Sequence, residues 1–290
     1  MKWRGRRGSQ NIEDRRGARG GGAFRRGGRT RRAGGIGGIG AIVVVVGGLL
    51  LGVDPATLFA IVGGGGGGYQ APKNSAPNQI DDDGKKFVSV VLADTEAVWT
   101  EIFRTELGRT YQPPRLVLFS GQTASACGAA SAATGPFYCP ADKRAFLDTS
   151  FFSTLEQKLG AGGDFARAYV IAHEVAHHVQ NELGILPEIN RMRARASQVE
   201  SNRLSVLIEL QADCFSGLWA RRAEALFGAL EPGDIQEAMN AAAQIGDDAL
   251  QRRSQGYVVP DSFTHGTSEQ RVTAFQKGYR SGRIGICAIR

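Results

Sequence analysis

The hydrophobic and polar positions change pattern several times along the chain. Residues 33–53 carry no charge, and their centre is the apolar run from Ile36 to Leu51. Residues 54–80 contain an unbroken glycine run followed by prolines, a composition that cannot bury a core and is typical of a flexible linker. From residue 81 onward apolar residues recur at helical spacing. The pattern therefore predicts one folded domain, residues 81–290.

Within this domain the apolar spacing predicts both helices and strands. Asp83 can cap a helix whose apolar face runs from Phe87 to Leu107. Two further apolar segments, Tyr169–Gln180 and Leu204–Trp219, are also read as helices. The predicted strands are Arg115–Phe119, Phe137–Cys139 and Ala145–Leu147. The domain is thus predicted to be α+β with a mainly helical body.

Three of the four histidines lie in one of these helices, in the sequence His-Glu-x-x-His-His. His173 and His177 are four residues apart, so a helix presents both imidazoles on one face, where they can bind one metal ion. Glu174 is rotated by roughly 100° from His173 and can reach a metal-bound water without binding the metal. This pattern is typical of zinc peptidases. His178 is not predicted to bind metal, and a helix that carries these histidines by chance is the alternative.

A third metal ligand is expected from another segment. A metzincin would have a histidine six residues after His177, but Leu183 occupies that position, which excludes that family. Glu209 and Asp213 share one face of an apolar segment, where carboxylates are costly to bury unless they are paired or bind metal. We interpret Glu209 as the third zinc ligand and Asp213 as the acceptor for the outer N–H of a ligating histidine. Two surface carboxylates, or Glu200 as the ligand, are the alternatives.

Four segments together resemble a known family. They are Lys2–Arg16, Ala172–Gln180, Glu209–Cys214 and Phe263–Arg271. They resemble the bacterial, membrane-anchored neutral zinc metallopeptidases. The resemblance implies a zincin fold, one Zn²⁺ per chain and a small antiparallel sheet whose edge can accept an extended peptide as an added strand. A purely structural sheet is the alternative, and no motif defines a peptide specificity.

The positive charge of the chain is confined to its beginning. Residues 1–32 contain Lys2 and eleven arginines against two acidic residues, a net charge of +10, which leaves −3 for the remainder of a chain whose total is +7. The uncharged segment 33–53 has 21 residues, and roughly 20 suffice for a helix to cross a bilayer. Arginines before this segment and Asp54 after it predict a single-pass signal anchor with a basic cytoplasmic tail, residues 1–32, and a domain outside the cytoplasm, periplasmic or extracellular.

Other interpretations of this region remain open. A cleaved signal peptide is disfavoured by the length of the basic stretch, and a buried core helix by the many glycines. Nucleic-acid binding by the tail is not expected, because Trp3 and Phe24 are its only aromatic residues and give no stacking pattern. The expected partners are the membrane and a peptide or protein substrate. The glycines of the anchor could also pair two copies of the chain.

The four cysteines predict two disulfides, because an even number is typical of a domain outside the cytoplasm. Three connectivities are possible, and Cys127 with Cys139 is favoured because this pair would close a short loop. Cys214 and Cys287 would join the C-terminal end of the chain to the helix that carries Glu209. Four free, buried thiols are the alternative.

His265 lies just before a predicted helix that begins with a capping box, Thr267 with Gln270. From such a loop an imidazole could stabilise the oxyanion of a tetrahedral intermediate, and a structural or exposed histidine is equally compatible. Further, weaker candidates are Tyr257, Tyr279 and Arg271.

Taken together, these residues predict a metalloendopeptidase-like hydrolase. Zinc would be held by His173, His177 and Glu209, and Glu174 would act as general base on the zinc-bound water. A non-hydrolytic zinc protein of the membrane, which binds peptides or assists assembly, is the alternative.

Overall fold

The computed structural model describes residues 1–17, 82–131 and 134–289. Its helices are α1 (Asp83–Glu106), α2 (Ser150–Gln157), α3 (Asp164–Glu182), α4 (Ile185–Arg193), α5 (Gln198–Phe227), α6 (Asp234–Gln244), α7 (Asp247–Gln255) and α8 (Ser268–Ser281). Its strands are β1 (Ile12–Asp14), β2 (Arg115–Phe119), β3 (Gln122–Ser125), β4 (Gly128–Ser131), β5 (Phe137–Cys139) and β6 (Arg144–Asp148). Short 3-10 turns follow at Pro260–Ser262 and Ile284–Cys287. The predicted α+β class and mainly helical body are confirmed.

Helices α1, α3 and α5 pack against one another and form the centre of the body. Trp99 of α1 meets Phe215 of α5 edge to face, with ring centroids 5.4 Å apart. Phe165 of α3 stacks on Trp219 of α5 at 5.8 Å. All four rings are almost completely buried, and burial of each such side chain contributes about 1.5–3 kcal/mol. These contacts set the relative position of α3 and α5, the helices predicted to carry the site.

Helix α8 lies unusually close to α5 because glycines face each other at their contact. A Cβ atom on Gly217 would lie 1.9 Å from the Phe275 carbonyl oxygen, and one on Gly278 would lie 1.8 Å from the Cys214 carbonyl oxygen. Any side chain at either position would push the two helices apart. The close approach brings the first turn of α8 next to the middle of α5.

Helix α1 begins at Asp83, as expected, but the capping residue is its neighbour. The Asp82 side chain accepts a hydrogen bond of 2.7 Å from the backbone N–H of Lys85. The prediction that Asp83 itself caps the helix is therefore wrong by one residue.

The main sheet has the strand order β1-β2-β6-β5 and packs against α3 through β5 and β6. The three predicted strands are present, yet the expectation of an antiparallel sheet is wrong for most of it. Strands β1 and β6 both run parallel to β2, and only β5 and β6 pair in antiparallel fashion. The reason is the connection at residues 120–143, which is long enough for a crossover between parallel strands. It contains β5 and the separate β3–β4 hairpin.

The first 17 residues belong to the folded body, although the charge pattern predicts that they form part of a tail. Ile12–Asp14 form β1 in parallel register with Leu116–Leu118. Arg6 lies 2.5 Å from the buried carboxylate of Asp94, and the Arg16 guanidinium bonds both Asp14 and Asp82 at 2.8 Å. The Met1 amino group lies 2.5 Å from Asp164. Arg6 and Arg16 were counted among the charges that would orient a membrane span, and both pair with carboxylates. Residues 1–17 must therefore be reassigned to the domain.

The predicted anchor, residues 33–53, and the linker, residues 54–80, lie outside the described residues. In the part of the chain that the structure describes, none of the helices combines the length and apolar composition that a membrane span requires.

Both disulfides have the pairing expected from the sequence. Cys127 is bonded to Cys139 and connects β5 to the β3–β4 hairpin. Cys214 of α5 is bonded to Cys287, so the C-terminal 3-10 turn is covalently attached to α5.

Candidate metal centre

Two imidazoles from α3 and one carboxylate from α5 converge at a single point. Glu209 Oε2 lies 3.0 Å from His173 Nε2, and Glu209 Oε1 lies 3.4 Å from His177 Nε2. One ligand atom from each of these residues lies within 4.8 Å of the others. In a tetrahedral zinc site with bonds of about 2.0–2.1 Å, neighbouring ligand atoms are about 3.3 Å apart. The donor set and its spacing therefore fit Zn²⁺, and the structure brings the three predicted ligands together.

The charges around this point favour a cation between the rings. Burial by itself would raise the pKa of Glu209, but the His177 and His173 rings hold it well below its usual value. Burial would likewise lower the pKa of His173, yet Asp213 and Glu209 raise it to about 10. Two carboxylates thus stabilise positive charge on or beside His173, which is what a bound divalent metal would supply.

Asp213 holds the His173 ring from the side opposite the convergence point. Its carboxylate is fully buried and lies 2.9 Å from His173 Nδ1. A carboxylate only accepts hydrogen bonds when ionised, so Nδ1 must carry a proton, and Nε2 is the nitrogen left to bind a metal. This contact is the one predicted for Asp213 from the sequence.

Two further side chains saturate the Asp213 carboxylate, and sequence reasoning did not assign either of them this role. Arg271 of α8 donates from Nε to Oδ2 at 2.9 Å and from a terminal nitrogen to Oδ1 at 3.1 Å. The Tyr169 hydroxyl donates to Oδ1 at 2.5 Å. Although burial opposes ionisation, the Arg271 guanidinium and the His173 ring keep the pKa of Asp213 below its usual value. Tyr169 lies one helical turn before His173, a spacing that could have revealed it.

Glu174 lies beside the ligands on α3 and is 9% exposed. Burial raises the pKa of its carboxyl group, while the neighbouring His177 and His173 rings act in the opposite direction. A carboxylate whose pKa is raised toward neutrality is a better proton acceptor and donor at physiological pH. The position and environment of Glu174 therefore suit a general base.

His178, which was not predicted to bind metal, takes part in a different contact. Its Nδ1 lies 3.0 Å from the Tyr138 hydroxyl on β5, and its Nε2 lies 2.6 Å from the Gln112 carbonyl oxygen. The carbonyl can only accept, so Nε2 donates to it and Nδ1 accepts from the tyrosine. Burial lowers the pKa of this ring, which favours the neutral form. His178 thus fastens the edge strand β5 to α3.

The loop that carries His265 is held by a single carboxylate at the start of α7. Asp247 Oδ2 accepts from the backbone N–H groups of Thr264, His265 and Gly266 at 2.8, 2.6 and 3.0 Å. Asp247 Oδ1 lies 3.1 Å from His265 Nδ1. The predicted capping box of Thr267 and Gln270 is present and begins α8 directly after this loop.

The same loop packs against α5 beside Glu209, at Val206 and Leu210. Gly266 has φ +92°, and a Cβ atom there would lie 3.2 Å from Val206 and 3.3 Å from Leu210. Burial would lower the pKa of His265, but Asp247 and, more weakly, Glu209 raise it. His265 is therefore a partly exposed, cation-favouring ring at the border of the metal centre. Of the weaker candidates, Tyr257 is exposed and Tyr279 stacks on Phe275.

Comparison with known proteins agrees with this geometry. The chain is 48% identical over 287 residues to the Escherichia coli (strain K12) protein described as "Uncharacterized protein YpfJ", which covers 99% of this chain and 98% of the relative. It is 40% identical over 254 residues to "Uncharacterized protein Rv2575" of Mycobacterium tuberculosis (strain ATCC 25618 / H37Rv), covering 82% and 83%. No solved structure matches. Residues 1–289 match the family described as "Putative neutral zinc metallopeptidase", and the chain belongs to this family.

Proposed function

We propose that the protein is a zinc-dependent metallopeptidase that hydrolyses peptide bonds. The observation that carries the proposal is the convergence of His173, His177 and Glu209, with Glu174 next to the first ligand on the same helix. One Zn²⁺ bound by these ligands would lower the pKa of its water to roughly 7 and polarise the scissile carbonyl.

The remaining steps are carried by side chains of the protein. Glu174 accepts the proton of the attacking water and returns it to the leaving amine. Asp213 and Arg271 keep the His173 ring in the orientation and tautomer that binding requires. His265, held in place by Asp247, donates a hydrogen bond to the oxyanion of the tetrahedral intermediate.

The substrate is proposed to bind as an extended peptide along β5. This strand is at the end of the main sheet and contacts the helix that carries both histidine ligands. An added strand would obtain main-chain hydrogen bonds from this edge. The Cys127–Cys139 disulfide and the Tyr138–His178 contact hold the edge in place beside α3.

The proposal is tested with purified full-length protein. Elemental analysis is expected to find one zinc per chain, and digestion of a peptide library is expected to give cleavage that a zinc chelator abolishes. Stoichiometric zinc without cleavage would favour the alternative function, a zinc protein that binds peptides or assists assembly.

Substitution His265→Ala is expected to lower kcat by about 10²–10³-fold, the effect of removing one oxyanion donor, with zinc content unchanged. Steady-state kinetics and elemental analysis measure both. Arg252→Ala is a suitable control, because Arg252 lies on the same helix as Asp247 and is largely exposed. A kcat for His265→Ala within twofold of wild type would remove His265 from the mechanism.

Substitution Asp247→Asn tests the same assignment through pH. Asp247 raises the pKa of His265, so the ring keeps its proton to higher pH than a free imidazole and loses it as pH rises through that pKa. Removing the carboxylate charge lowers this pKa. The alkaline decline of kcat/KM is therefore expected to move to lower pH in Asp247→Asn, and an unmoved decline would contradict the role of His265.

We also propose that the domain lies outside the cytoplasm, which its two disulfides support. Residues 1–17 share a sheet with β2, so they are proposed to lie on the same side of the membrane as the domain. A single crossing at residues 33–53, with the basic residues left in the cytoplasm, would place β1 and β2 on opposite sides of the membrane, although these strands are paired.

Cysteine labelling tests this topology. In spheroplasts, a membrane-impermeant maleimide is expected to label both Arg4→Cys and Arg252→Cys, positions whose side chains are 71% and 65% exposed. Labelling of Arg252→Cys alone would restore the single crossing with a cytoplasmic tail. Labelling of neither would place the domain in the cytoplasm.

A further inference from the structure

We propose that the C-terminal segment of the chain orients the His177 ring through two buried glutamines, and that the Cys214–Cys287 disulfide keeps this segment in place. The inference rests on the proposed zinc site. His177 Nδ1 lies 2.9 Å from Gln180 Oε1. Gln180 Nε2 lies 3.1 Å from Gln211 Oε1, and Gln211 Nε2 lies 2.9 Å from the Cys287 carbonyl oxygen. We call these two side chains the glutamine relay.

The polarity of the glutamine relay follows from its carbonyl ends. The Cys287 carbonyl can only accept, so Gln211 must direct its NH₂ group to it and its oxygen to Gln180. Gln180 also donates to the Ile208 carbonyl oxygen at 2.7 Å, which requires the same orientation of its amide. The Gln180 oxygen therefore faces His177, and His177 Nδ1 must donate. The relay leaves the Nε2 lone pair for the metal.

Because the glutamine relay is buried, water cannot readily take the place of its hydrogen-bond partners. Gln180 is 0% exposed, Gln211 5% and Cys287 4%. A buried amide that loses its partner pays the desolvation cost in full. The tautomer of the His177 ring is thus held by a chain of buried hydrogen bonds, each of which fixes the orientation of the next amide.

The two histidine ligands are supported in different ways. Asp213, which is itself paired with Arg271, orients His173 directly from α5. His177 is oriented by a neutral amide three residues later on its own helix, and that amide is bonded to α5 and, through Gln211, to the C-terminal turn. An amide supplies direction without adding another negative charge to a site that already contains Glu174, Glu209 and Asp213.

The Cys214–Cys287 disulfide connects the end of the glutamine relay to the part of α5 that carries Asp213. Cys214 directly follows Asp213 on α5, and its bond to Cys287 joins residues 73 positions apart in the sequence. The carbonyl group that ends the relay belongs to the bonded Cys287 itself. Loss of the bond releases the acceptor on which the orientation of Gln211 depends.

Zinc affinity, measured by competition with a chromogenic chelator, tests the relay without reference to catalysis. Gln180→Leu is expected to weaken zinc binding by about 100-fold and Gln211→Leu by about tenfold, the range for groups that orient metal ligands. Gln251→Leu is the matched control. Gln251 is 2% exposed and has two comparable hydrogen bonds, to Ser262 and Val259, so its loss should reduce thermal stability while zinc affinity stays within about twofold.

The visible spectrum of the Co²⁺-substituted protein provides a second readout. Reorientation of His177 is expected to change the d–d bands in Gln180→Leu and Gln211→Leu but not in Gln251→Leu. Wild-type affinity and an unchanged spectrum in Gln211→Leu would overturn the relay. A wild-type protein that binds neither zinc nor cobalt would instead refute the proposed function.

The disulfide is tested with paired double variants. Cys214→Ser with Cys287→Ser is expected to weaken zinc binding about tenfold. Cys127→Ser with Cys139→Ser removes the other disulfide and is expected to leave zinc affinity within about twofold. Equal affinities in the two double variants would contradict the role assigned to the Cys214–Cys287 bond. If the first double variant does not fold, Gln211→Leu still decides the proposal.

Discussion

Substitution Glu174→Gln is expected to lower kcat by about 10²–10⁴-fold while one zinc per chain remains bound. Glutamine has nearly the same shape as glutamate, but it cannot accept a proton from water at neutral pH. The ligands His173, His177 and Glu209 are unchanged, so metal binding should persist. Peptide cleavage assays and elemental analysis of the same preparation measure the two quantities together.

The matched control for this variant is Glu182→Gln at the end of the same helix. Glu182 pairs with Lys143 at 3.0 Å, away from the metal ligands. The substitution makes the same chemical change, and the kcat of Glu182→Gln is expected to stay within about twofold of wild type. Full activity in Glu174→Gln would show that another group, or none, takes the proton. Loss of zinc in that variant would show that Glu174 contributes to metal binding.

Substitution Asp213→Ala is expected to destabilise the protein by about 3–5 kcal/mol, the cost of leaving a buried charge without its partner. Arg271 is 2% exposed and donates three hydrogen bonds to or around this carboxylate, one of them to the Tyr169 hydroxyl. Without Asp213 the guanidinium remains buried and uncompensated, and His173 Nδ1 loses its acceptor. Urea unfolding of the metal-free protein measures the stability, and chelator competition is expected to show a 10–100-fold weaker zinc affinity.

A second substitution separates these two consequences. Adding Arg271→Leu to Asp213→Ala removes the uncompensated charge and is expected to recover part of the lost stability, but not the zinc affinity, because His173 still lacks its acceptor. Glu200→Ala is the surface control. Glu200 and Arg203 are exposed and 3.8 Å apart, so the change should cost less than about 1 kcal/mol. If Asp213→Ala and Glu200→Ala had the same free energy of unfolding, the buried ion pair would not contribute to stability.

The sequence could predict which side chains the structure brings together at the metal centre, because that prediction depended on short-range geometry. His173 and His177 are four residues apart, and any α-helix places such residues on one face. Glu209 was identified because a carboxylate in an apolar helix requires a partner. The disulfide pairs and the capping box of α8 likewise followed from loop closure and from local spacing.

Other features could not be predicted because they depend on how distant segments pack. Strand β1 is three residues long, too short for any periodicity, and it exists only because β2 offers an edge on which it can pair. The parallel direction of β6 is decided by the path of the chain between it and β2. The pairing of Arg271 with Asp213 joins residues that are 58 positions apart.

Sequence alone determined which side chains of the two helices come together at the centre, because helical periodicity and the cost of burying charge act locally. The tertiary structure decided how those residues are held. The close contact of α5 with α8 at Gly217 and Gly278 brings Arg271 to Asp213, and the C-terminal turn brings its carbonyl to the glutamine relay. Such contacts depend on side-chain volume and backbone path over the whole domain, and no local spacing encodes them.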